Sequence, residues 1–175
     1  MPPRLRKAIL ITHVTTSVGW LGAALAYIAL DVTAVVSTDV ERVRSAYLAM
    51  DVIISYAIVP LALASVLVGI VNALGTSWGL FRHYWVLVKL LLTLVATTIL
   101  LLEAQTIRSL AEAAGSGADP HGFPGSLPHS VGGVMVLFLI TVLSIYKPRG
   151  LTRHGWRKQQ DERRRHQEQP TTPVA

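Results

Sequence analysis

Apolar positions in this chain come in long unbroken runs rather than in short alternating stretches. Four windows of about 20 apolar residues, the length that spans a hydrocarbon core, run roughly over 8–30, 47–74, 84–102 and 129–146. Together they predict an all-α membrane protein, a bundle of four transmembrane helices. The first window follows basic residues and contains "GAALA", features shared with signal peptides. Its length, and the His13 and Trp20 within it, favour a retained helix. The windows leave a short loop over 31–46, a turn over 75–83, a longer loop over 103–128 and a tail after Lys147. The longer loop contains "AEAAGSGADPHGFPGSLP", in which Gly, Pro and Ser predict an irregular surface segment. The domain organisation is thus a membrane bundle over 1–147 and a basic tail over 148–175. The tail is charged, then rich in Pro and Thr, a composition expected to be disordered.

Each helix carries one polar stripe, at about 100° of rotation per residue. On the first, His13, Ser17, Trp20, Ala24, Tyr27 and Asp31 lie near one line, beside a stripe of small residues, Gly19, Gly22, Ala23 and Ala26. The first stripe suits a bundle interior; the second suits close helix contact. On the second helix Asp51, Ser55, Ala62, Ser65, Gly69 and Asn72 share a face, with Pro60 opposite. The third aligns Arg82, Trp85, Lys89, Thr93 and Ala96, and the fourth aligns His129, Gly133, Val136, Ile140 and Ser144.

Composition agrees with the pattern. Of the residues, 51% are hydrophobic and 15% charged, with a mean hydropathy of +0.48; an average soluble domain has roughly 25% charged residues. There is no cysteine, which excludes disulfides, thiolate ligands and redox thiols. No Gly-rich phosphate loop and no HExxH motif is present.

Charge orients the bundle. Arg4, Arg6 and Lys7, Arg82 in the middle turn, and eight basic residues from Lys147 onward would share one side, against Arg42, Arg44 and Arg108 on the other. By the positive-inside bias both termini are expected to be cytoplasmic, in a multi-pass membrane protein. The net charge of +6 and pI near 10.1 then describe mainly the tail, which would lie with Trp156 on anionic lipid head groups. Topology explains the sign without a nucleic-acid partner.

Orientation also fixes depth. His13 lies six residues after Lys7 and Lys89 seven after Arg82, so both sit about 9 to 10 Å along their helices from the same boundary. The stripes are expected to gather His13, Ser17, Asn72, Lys89 and Thr93 into one inner-half pocket, with Gly69, Thr141 and Ser144 at that level and Trp20 as packing surface. Asp31, Asp51, Glu103 and His129 gather near the outer surface, the three acids as interfacial end residues. His83, in "GTSWGLFRHYW", reads as an interfacial anchor. A histidine and a lysine at one depth in hydrocarbon point to a functional pocket. The alternative is that Lys89 snorkels its ammonium to the head groups while His13 bonds a hydroxyl between helices.

"ITHVTTSVGWLGAALAYIAL", with a first-helix histidine followed by Trp-x-Gly, and "RHYWVLVKLLLTL", with Trp-x-x-x-Lys-Leu in the third helix, resemble the small bacterial membrane proteins related to the copper-resistance D and HemJ-type protoporphyrinogen oxidase superfamily. The resemblance covers about half of the chain. It implies haem b as cofactor, with functional roles for His13 and Lys89. The arginine and histidine of that family near the end of the first helix are replaced by "AYIALDV", and its histidine at the end of the third is missing from "ILLLEAQ". What the resemblance carries over is a pocket for a planar, anionic, redox-active group rather than the oxidase reaction. An imidazole ligates haem iron, so His13 is the candidate iron ligand, and an ammonium pairs with a propionate. The candidate cofactor-binding residues are His13, Lys89, Ser17, Trp20, Asn72 and Thr93. The competing expectation is a non-enzymatic membrane module, copper-handling or accessory, whose polar stripes only pack the bundle. Substrate, redox partner and oligomeric state stay open.

Overall fold

The computed structural model describes residues 2–75 and 83–146, together with Gly150, Thr152, Trp156, Arg157, Gln160 and Arg164. Four helices carry the fold: α1 Pro3–Val36, α2 Val40–Gly75, α3 Tyr84–Gly115 and α4 Leu127–Tyr146. All four are long and apolar enough to cross a membrane. Successive helices run in opposite directions, so Pro3, Gly75, Tyr84 and Tyr146 mark one end of the bundle, called here the basic end. The two connections described below mark the far end. Most of the expected basic tail, and Arg82 of the middle turn, lie outside the described residues. Of the tail, Gly150 accepts the Tyr84 N–H and Thr152 is buried, its carbonyl accepting the Trp156 N–H.

The helices outrun their apolar windows. The segment expected as a loop over 31–46 is helical except for Ser37–Asp39, and α3 continues to Gly115 through the first half of the expected loop over 103–128. The 32 residues of α3 make a rod of roughly 48 Å, against about 30 Å of hydrocarbon. The surplus lies at the far end, and local chemistry accounts for it. Asp39 caps α2 by accepting the Glu41 N–H at 3.0 Å, and Glu41 pairs with Arg44 one turn on. After α3, Gly117 takes φ +98°, a left-handed conformation natural to glycine. The Gly117 and Ala118 N–H groups then close back on the carbonyls of Ala114 and Ala113, a Schellman ending.

This far-end extension holds the best-packed core. Val43, Tyr47 and Met50 of α2 are buried in one cluster with Ile107 and Ala114 of α3. The Phe123 ring meets Tyr47 edge-on at 5.4 Å. The spacing 43, 46, 47, 50 is the amphipathic helix period, masked in an apolar-window search by Glu41, Arg42 and Arg44.

One turn of α2 is irregular. Ile54–Ile58 forms a π-helical turn, closed by the Val59 N–H on the Ile54 carbonyl. Pro60 follows directly. A proline ring clashes with the carbonyl four residues back and offers no N–H, and a widened turn accommodates both defects. The extra residue shifts the helix phase. Towards the basic end Ala62, Ser65, Gly69 and Asn72 face inward as the sequence pattern predicts, but beyond the turn the inward set is Met50 and Ile54, not Asp51 and Ser55. Ser55 is exposed and donates to Asp51 at 3.3 Å.

Candidate functional site

The interior stripe of α1 faces inward along its whole length: Trp20, Tyr27 and Asp31 are buried, and His13, Ser17 and Ala24 are half-buried. The neighbouring small-residue stripe divides. Gly19 packs on Leu61 of α2 and Ala23 joins the core, whereas Gly22 and Ala26 are exposed.

Near the basic end, α1, α2, α3 and α4 enclose a cavity of about 560 Å³. His13, Ser17, Trp20, Asn72, Lys89 and Thr93 all line it, as do Gly69, Thr141 and Ser144. The helix phases thus bring six residues from three helices to one space. Arg6 and Trp85 line it too. Arg6 lies seven residues before His13, two turns along the same face, a relation present in the sequence spacing. No aspartate or glutamate is among the described lining residues, which do include Arg6, Lys89 and His13.

The polar groups differ in what they have left to offer. The Ser17 hydroxyl shares a 2.7 Å hydrogen bond with that of Ser65, joining α1 to α2. Thr93 donates to the Lys89 carbonyl at 2.7 Å. His13 lies beside the main chain at Ser65, with Lys89 as its charged neighbour, yet its Nδ1 is buried and has no hydrogen-bond partner among the described residues. No carboxylate of the described residues pairs with the Lys89 ammonium. His83 caps α3, its carbonyl accepting the Val86 N–H at 3.2 Å, and its ring lies 6.4 Å from that of Trp85.

A second cavity, of about 350 Å³, lies beyond Trp20 towards the far end. Trp20 and Leu137, 4% and 8% exposed, line both cavities and form the partition between them. The predicted outer group is only partly assembled. Glu103 and His129 line the second cavity, and Asp31 is their electrostatic neighbour through Glu103. Asp51 stays with Ser55. Asp31 is no interfacial end residue: it is 2% exposed, and Ser130 in the first turn of α4 donates to it at 2.6 Å. Tyr27 and Ser126 share a longer bond beside it, 3.4 Å.

Comparison of the chain with protein-family models, with curated proteins and with solved structures gives no match. Among the described residues no group of three or more His, Cys, Asp or Glu side chains is placed to hold a metal ion.

Proposed function

We propose that the chain is a multi-pass protein of the bacterial inner membrane, with both termini cytoplasmic, whose basic-end cavity binds haem b or a related porphyrin for redox or tetrapyrrole chemistry. The observation that carries this reading is the lining of that cavity: Arg6, His13 and Lys89, with no carboxylate among the described lining residues, beside Trp20 and Trp85. A porphyrin is apolar over its faces and anionic at its propionates. Indole rings suit the first property, and basic side chains suit the second. The donor set is that of a single-histidine site, since His13 is the one histidine among the described lining residues. His13 would hold the iron, and Lys89 with Arg6 the propionates. Haem, when bound, would supply one-electron chemistry at iron. About 560 Å³ falls within the 300–1,000 Å³ range of small-molecule pockets.

A packing module, copper-handling or accessory, is the second reading, and the Ser17–Ser65 bond favours it for that part of the stripe. Pigment decides between them. Protein purified from haem-replete cells should show a Soret band that His13→Ala abolishes. Lys89→Met should weaken pigment retention without eliminating it, because the ligand and the apolar stem remain. His121→Ala and His129→Ala should leave the spectrum unchanged. Colourless protein, or a spectrum indifferent to His13→Ala, favours the packing module.

A further inference from the structure

The far-end cavity has a construction of its own. Its wall is apolar, with Ile54 and Ile58 presented by the π-helical turn, a rare element that recurs at functional sites. On the α4 side the wall is left open by Gly132 and Gly133, where an added Cβ would meet nothing within 4 Å. One charged side chain of fixed sign enters it: Glu103, which has no ion pair or hydrogen bond with the described residues. Asp31 adds a second carboxyl group behind it. Among the described lining residues His129 is the one basic side chain, with no lysine or arginine. A carboxylate at a half-buried apolar wall is costly unless a cation compensates it. His129 is the basic neighbour of Glu103 among the described residues, but it stands beyond ion-pair distance.

We infer that the far-end cavity is a second ligand site, for a small lipophilic ammonium ion: its hydrocarbon part lies between the π-helical turn of α2 and the glycine pair of α4, and its charged nitrogen lies against Glu103. Trp20 closes the floor, so an occupant of either cavity touches the same indole. The inference does not depend on what the basic-end cavity holds, because the two linings share only Trp20 and Leu137.

The shared tryptophan supplies the readout. Full-length protein in lipid nanodiscs, with Trp78→Phe, Trp85→Phe and Trp156→Phe, leaves Trp20 as the sole indole. Bromo-octylammonium and the neutral bromo-octanol are then compared as quenchers, with empty nanodiscs correcting for partition into lipid. The ammonium should quench at about tenfold lower concentration than the alcohol, a difference of the size expected for one charge-assisted contact. Glu103→Gln should bring the two together, and Glu103→Asp should retain part of the preference. Gly133→Leu should remove protein-specific quenching by both probes, with circular dichroism showing that the helices persist. In pigment-free protein, Lys89→Met, in the other cavity, should change neither. Equal quenching in the parent, a preference that survives Glu103→Gln, or quenching that survives Gly133→Leu would each overturn the assignment.

Discussion

A Cβ built on Gly69 would lie 2.9 Å from Cε1 of His13, so the imidazole occupies the space that a side chain at position 69 needs. The contact joins α1 to α2 at the level of Lys89 and holds the ring that the sequence singles out first. Gly69 therefore acts here as a niche rather than as a flexible point: no unusual backbone angle calls for glycine, but the neighbouring ring does.

Gly69→Ala should be destabilising by about 1 to 3 kcal/mol, the usual cost of overpacking. The imidazole must move or the helices must part. In a His13→Ala background the same change should cost much less, since the ring that clashes is gone. Thermal denaturation of the four proteins of this double-mutant cycle measures the coupling; strictly additive effects would mean that the two residues do not compete for one space.

Asp31 and Ser130 make the corresponding link at the far end. The Asp31 carboxyl group is buried and depends on a donor in the first turn of α4. Ser130→Ala should cost about 1.5 to 3 kcal/mol, the range for a hydrogen bond to a charged group. Ser144→Ala is the control on the same helix. Its hydroxyl donates to the Ile140 carbonyl of its own helix, so its loss should stay within about 0.5 kcal/mol. Equal effects in a denaturant titration would remove Asp31 as the anchor of α4.

Much of this was legible in the sequence, and the misses have identifiable causes. The four apolar runs and the faces of α1 and α3 follow from composition and a constant 100° step, and these suffice to bring His13, Asn72 and Lys89 to one cavity. Two things defeat the constant step. The π-helical turn adds one residue before Pro60, so every face assigned beyond it on α2 is displaced by one position, which is why Asp51 and Ser55 were expected where Met50 and Ile54 stand. The far-end extension is amphipathic rather than apolar, so a search for hydrocarbon-length runs ends at Leu30 and Leu102 while the helices continue. A count of basic residues leaves Arg6 among the topological charges, because it ignores the face on which each one lies.

The Asp119 turn gives a pH dependence of known sign. Asp119 accepts from the main-chain N–H of His121 at 3.1 Å, with the His121 ring also at 3.1 Å, and these bonds hold its carboxyl below the ordinary value of 3.8. A depressed folded-state value means that the contribution is present above the ordinary value and is lost as pH falls through the folded one. Limited proteolysis within 116–126 should therefore rise on acidification below about pH 4 in the parent. Asp119→Asn should lack that acid step.

Topology follows from the distribution of basic residues. A reporter fused after Ala175 should read cytoplasmic and one inserted at Gly117, in the exposed turn after α3, should read external. The reverse pattern would turn the Lys89 cavity to the outside and remove the positive-inside account of the tail.

The last prediction concerns the π-helical turn, and it follows from the phase shift. Deleting Tyr56, which is 81% exposed within that turn, leaves a regular α-helix with Ile54, Ile58 and Ala62 still on the inner face. The clash relieved by the wide turn then returns, because Pro60 again meets a carbonyl four residues back, at a cost of about 3 kcal/mol. Pro60→Ala alone should be close to neutral: the buried residues on both sides of the turn hold it open, and position 60 is exposed. Combining the deletion with Pro60→Ala should restore stability close to that of the parent, since the helix then needs neither the extra residue nor a way around the proline. Deleting Leu63 instead, within the regular part of α2, should be more destabilising than deleting Tyr56 and should not be rescued by Pro60→Ala, because closing the wide turn to keep Met50 and Ser65 in phase rotates the buried Ile58 and Ala62 off the inner face. Expression and thermal melting of these variants measure the pattern. A deletion of Tyr56 that Pro60→Ala fails to rescue would show that the turn is required for more than register, with the cavity wall at Ile54 and Ile58 as the place to look.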